Sequence, residues 1–126
     1  MKIGILVREE TSMVCTGKGC LNALFQRKDS FAGYTEEIEL LTFTHVGGDL
    51  ERKIKNMIRA GIECVHLSSC LRARSPDYAS LMERLSKDFK VVGYTHGPEV
   101  RMKKVESAPQ TIRNNSGNCA KKGLGN

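Results

Sequence analysis

The chain has 126 residues, enough for one domain around one core. Hydrophobic residues make up 40% and charged residues 27%, the composition of a soluble globular protein. No apolar run approaches the roughly 20 residues that a membrane-spanning helix needs, so a membrane partner is not expected. The net charge of +6 is uneven, with +4 on residues 99–126 and +2 on residues 1–98. We expect an α/β domain over 1–98 and a basic, poorly ordered tail over 99–126. The tail has no aromatic residue on which a base could stack, so nucleic acid is not a favoured partner.

Lys2 to Arg8 contains the short apolar run Ile3, Ile5, Leu6, Val7 and reads as a buried strand. An Arg and two Glu follow at once, without a small-residue cleavage site, so this start reads as a strand and not a leader. A cytoplasmic, reducing setting is the expectation. There, the five cysteines are more naturally free, metal-bound or catalytic than paired in disulfides.

Glu9 to Gly19 is a polar loop broken by Gly17 and Gly19. Leu21, Leu24 and Phe25 give helical spacing over Cys20 to about Lys28, with Phe31 extending the apolar face. Ile38 to Val46 is the second strand, and Gly47-Gly48 a tight turn. Asp49 can cap a helix to Ala60, stopped by Gly61, with Leu50, Ile54, Met57 and Ile58 on one face. Ile62 to Ser68 is the third strand. Ser75-Pro76 opens a helix whose stripe is Tyr78, Leu81, Met82 and Leu85. Phe89 to Tyr94 is the fourth strand. Alternation of strands and helices predicts a small three-layer α/β sandwich, flavodoxin- or Rossmann-like. Its sheet would have four mostly parallel strands in the order 2-1-3-4.

In such a sheet the carboxyl ends of the strands share one edge, where ligands bind. Each predicted strand here runs into a thiol or imidazole. Cys15 and Cys20 follow the first, His45 closes the second, Cys70 ends the third and His96 follows the fourth. Cys15 and Cys20 flank two glycines and can either face one point or act separately. Cys20 opens a helix, where the dipole favours thiolate. Gly47 and Gly48 precede a helix whose free N–H groups suit a small anion, and they equally suit a plain turn. His45 is either a ligand or a solvated edge group. His66, inside a buried strand, reads as a satisfied core histidine in preference to a ligand, and Cys64, at the start of that strand, as core. Cys119 has no partner near it in sequence.

Cys15-x4-Cys20, the Gly-Gly turn before a helix, Val65-His66-Leu67-Ser68-Ser69-Cys70 and Thr95-His96 together resemble the CGGC domain family over residues 1 to about 97. The resemblance implies metal binding through cysteine and histidine. The family's naming motif, Cys-Gly-Gly-Cys, is here Val46-Gly47-Gly48-Asp49. Cys15, Cys20, Cys70 and His96 remain, a Cys3His set that would suffice for tetrahedral zinc, with His45 or Asp49 as substitutes. Zinc is therefore the expected cofactor, ahead of an iron–sulfur cluster. The alternatives are a cysteine-dependent thiol redox enzyme and a non-catalytic binding domain. Cys15 to Leu21 also superficially resembles the phosphate loop of low-molecular-weight tyrosine phosphatases. Those enzymes need Cys-x5-Arg, and Leu21 stands where the guanidinium is required.

Overall fold

A computed structural model describes residues 1–99. The expected basic tail, with Cys119, lies outside the described residues apart from Glu99. Strand β1 (Lys2–Val7) is followed by a short helix α1 (Glu9–Ser12) and by α2 (Lys18–Phe25). A 3-10 turn (Asp29–Phe31) leads to β2 (Glu39–His45), α3 (Leu50–Ala60) and β3 (Cys64–Leu67). Helices α4 (Ser69–Arg74) and α5 (Tyr78–Leu85) precede β4 (Lys90–Val92).

The four strands form one sheet in the order β2-β1-β3-β4, and every pairing is parallel. This is the expected α/β architecture, and the expected strand order. β1 lies at its centre because its side chains are apolar on both faces. Ile3, Ile5 and Val7 enter one core with Ala23 and Leu24 of α2, Phe31, Tyr34 and Val92. Leu6 enters the other, with Ile54 and Met57 of α3, Leu71 of α4, and Tyr78, Leu81, Met82 and Leu85 of α5. Helices therefore cover both faces, as an all-parallel sheet requires.

The helix signals differ in reach. Asp49 caps α3 as expected, its carboxylate accepting from the Arg52 amide at 3.1 Å, and Gly61 ends the helix with φ +86°. The segment after β3 is not loop but α4, capped by the Ser68 hydroxyl, which accepts from the Leu71 amide at 3.4 Å. Ser75 consequently ends α4, and α5 starts at Tyr78 rather than at Pro76. Six-residue α4 is too short to show a hydrophobic period.

β2 carries an irregularity that no sequence pattern announces. Ile3 pairs with Leu40 and Gly4 with Thr42, so Leu41 is an extra residue looped out of the ladder. Beyond this bulge Phe43 pairs with Ile5 and His45 with Val7. Paired residues of a parallel ladder share a face, so Phe43 and His45 stand on the α2 side of the sheet, as Leu40 does. An unbroken strand would have put Leu40 and Phe43 on opposite faces.

Candidate functional site

The carboxyl ends of all four strands open on one cavity of about 640 Å³. The stretch from Thr11 to Cys20 supplies one wall, Phe43 to His45 a second, Ser68 to Cys70 and Arg74 a third, and His96 closes it. The cavity lies where connections leave β1 and β3 for opposite edges of the sheet, the crevice in which open α/β sheets bind ligands.

Five of the expected site residues, Cys15, Cys20, Cys70, His45 and His96, line this one space. Asp49 does not; its carboxylate is committed to capping α3. Gly47 and Gly48 do not line it either. The Glu9 carboxylate lies against Gly47, and the Lys53 ammonium donates to the carbonyls of His45 and Gly47 at 2.7 and 2.9 Å. The turn thus already holds a charge of each sign.

Two glycines allow the loop and the fourth strand end to meet the cavity. Gly17, at φ +86°, begins α2, and a Cβ there would stand 3.0 Å from the Phe43 ring. Gly19 lets the His96 ring lie against the first turn of α2; a Cβ would stand 3.0 Å from its Nε2. His96 is further fixed through its backbone by one hydroxyl. Ser69 Oγ accepts from the amides of Thr95 and His96 at 3.3 and 3.2 Å and donates to the His96 carbonyl at 2.6 Å. The Gly97 amide donates to Asp29 at 3.1 Å.

Cys15, Cys20 and Cys70 are free thiols, whereas Cys64, expected to be an unpaired core cysteine, is disulfide-bonded. Each free thiol has a polar contact. Gly17 donates its amide to Cys15 Sγ at 3.3 Å, Cys20 Sγ lies 3.2 Å from Thr95 Oγ1, and Cys70 Sγ lies 2.8 Å from Ser68 Oγ. Thr95 is fully buried and its oxygen accepts from the Ser69 amide at 3.3 Å. Its own proton is therefore available to Cys20. Cys20 departs from expectation. It is the third residue of α2, yet burial pushes its thiol up from the ordinary value, and the neighbouring Cys70 and Cys15 add to that. The Thr95 hydrogen bond opposes the rise without reversing it. Desolvation outweighs the helix dipole here.

His45 is held by the Gly47 amide, which donates to its Nδ1 at 3.0 Å. The neutral ring then carries its proton on Nε2, so it presents a donor rather than a lone pair. His66 is the satisfied core histidine that its position suggested. It is fully buried and stacks on Phe31 with ring centroids 4.2 Å apart. Ser30 donates to the Thr95 carbonyl at 2.9 Å, so its oxygen accepts from His66 Nδ1 at 3.0 Å, and Tyr34 Oη meets Nε2 at 2.9 Å. Burial drives its pKa down to about 3, so the ring stays neutral.

The CGGC domain family matches residues 2–96. The chain belongs to that family. No curated protein and no solved structure matched it. This CGGC domain has no Cys-Gly-Gly-Cys run, Gly47-Gly48 standing between Val46 and Asp49, while Cys15, Cys20, His45, Cys70 and His96 line the cavity. Among the described residues, no three Cys, His, Asp or Glu side chains are gathered closely enough to hold an ion as they stand. The donor chemistry fits a metal, since three thiols and an imidazole line one space. The site is open, and each sulfur would exchange or share a hydrogen bond on binding. No helix among the described residues is long and apolar enough to cross a membrane.

Sequence reasoning quoted Ser69 and Thr95 only as motif positions, without a role, and passed over Arg74. Ser69 and Thr95 act through backbone partners 26 residues apart, which spacing cannot reveal. Arg74 reaches the cavity only because residues 69–74 are helical.

Proposed function

We propose that this CGGC domain is a metal-binding protein, with zinc as its ion and Cys15, Cys20, Cys70 and His96 as the ligand set. The observation that carries this reading is the convergence of three free thiols and one imidazole from three separate strand ends on one cavity. Cysteine and histidine are the ligands zinc prefers, and four of them complete a tetrahedral shell. His45 is the weaker candidate because its Nδ1 already accepts the Gly47 amide. Asp49 is weaker still, since ligation would cost α3 its cap. Bound zinc would act as a Lewis acid, or as a purely structural clip if all four ligands engage. A cytoplasmic setting would keep the thiols reduced and ready for the ion.

Metal content of the full chain, purified without a histidine tag under anaerobic reducing conditions, tests the proposal. About one zinc per chain is expected, with Cys15, Cys20 and Cys70 protected from alkylation until a chelator is added. Cys70→Ala should lower zinc affinity by at least about tenfold. Wild-type affinity in that variant, or no metal and freely alkylated thiols in the parent chain, would remove the proposal. In the second case a thiol redox function becomes the better reading. Its signature would be a disulfide between Cys15 and either Cys20 or Cys70 after mild oxidation.

A further inference from the structure

The cavity is far larger than an ion requires. Its volume of about 640 Å³ lies inside the roughly 300–1,000 Å³ typical of small-molecule sites. The residues around the thiols define what kind of molecule would fit. No Asp or Glu is among those lining it. Arg74, at the end of α4, does line it, and its guanidinium is a permanent cation. His45, on the opposite wall, is held by Gly47 in the tautomer that offers an N–H. Phe43, brought to this face by the bulge in β2, adds an aromatic ring that is 39% exposed.

A permanent cation, a neutral donor, an apolar ring and no carboxylate make a consistent set. We propose that the cavity binds a small organic anion, a carboxylate or phosphate monoester with a flat apolar body. Arg74 and His45 would take the anionic head, and Phe43 the body. The guanidinium fork matches the paired oxygens of either head group. An anion so placed lies beside the thiols and His96, where a metal ion would polarise it. That role rests on the metal-binding reading; the anion binding itself does not.

Phenyl phosphate and benzoate are suitable probes, titrated into the full chain with amide chemical shifts as readout, before and after addition of zinc. The metal-free chain should bind at least one of them at or below about 1 mM, with shifts centred on Phe43–Gly47 and Ser69–Arg74. Arg74→Ala, at an exposed position where folding is not at risk, should weaken that binding about tenfold. Inorganic phosphate, lacking the apolar body, should bind more weakly than phenyl phosphate. No binding to the metal-free chain, or binding indifferent to Arg74→Ala, overturns the proposal. Binding that needs zinc and ignores Arg74 does so too, while leaving the metal reading intact. Conversely, a chain that takes no zinc can still pass the metal-free titration, so the two readings fail separately.

Discussion

Two side chains of similar polarity, His66 and Cys20, show how burial sets chemistry in this domain. His66 is fully buried with neutral partners, so its protonated form is strongly disfavoured in the fold. Its pKa falls from 6.5 to about 3. The folded state therefore binds fewer protons than the unfolded chain across that window, and stability rises with pH through it. Acidification from pH 6.5 towards 3 should erode stability by up to roughly 1.4 kcal/mol per pH unit from this group alone. Urea melts at stepped pH check this. His66→Gln, which cannot titrate, should lose about one proton's worth of that acid slope. An unchanged slope would assign the effect to other groups. At Cys20 burial has the same sense, favouring the neutral thiol, and the Thr95 hydroxyl stands against it. Core status was readable for His66, since a histidine within a run of β-formers is usually an interior group with partners. The raised Cys20 thiol was not readable, because the sequence shows the helix start but not what packs over it.

Among the elements, α4 does most to shape the cavity. Its first turn delivers Cys70, its last residue is Arg74, and Ser69 fastens it to the segment after β4. The Ser69 hydroxyl serves three backbone groups at once. Ser69→Ala should cost about 1 kcal/mol, because the part-buried Thr95 amide loses its acceptor, while the exposed His96 amide can turn to water. It should also free the His96 ring, read as narrowed and shifted ring resonances with weaker zinc affinity. A variant that loses stability but keeps its His96 resonances unaltered would make the clamp structural only. Neighbouring elements were legible to different degrees for physical reasons. α3 is eleven residues long with a full cap and stop, and its boundaries matched. α4 has only six residues, less than two turns, so its cap was masked by the adjoining strand. Elsewhere, Arg84 of α5 reaches Glu51 of α3 at 2.7 Å and Asp88 at 3.0 Å, a surface pair that raises the guanidinium's pKa and lowers that of Glu51. Such an exposed link adds little to stability and fades with salt.

For the molecule as a whole, fold and edge were both legible before the atoms were. Alternating strands and helices fix a parallel sheet, and a parallel sheet gathers its strand ends, so scattered Cys15, Cys20, His45, Cys70 and His96 were bound to approach one another. Which of them share a space, and which side chain points away, depends on caps and on register. Asp49 was lost to a cap, and His45 gained its orientation from a register shift. That shift leaves a mark on how the chain can change length. Leu41 is 46% exposed and has no rung of its own in the ladder. Removing it would leave Ile3 opposite Leu40 and Gly4 opposite Thr42, with every later rung in place. A deletion inside a strand normally turns all that follows inside out. Here it should yield a folded chain with near-native circular dichroism and an intact cavity, whereas deleting Phe43, which would leave Thr42 opposite Ile5, should strip the aromatic ring from the cavity wall. The bulge at position 41 is thus a spare link, a place along β2 where the chain could be shortened without the cavity wall noticing.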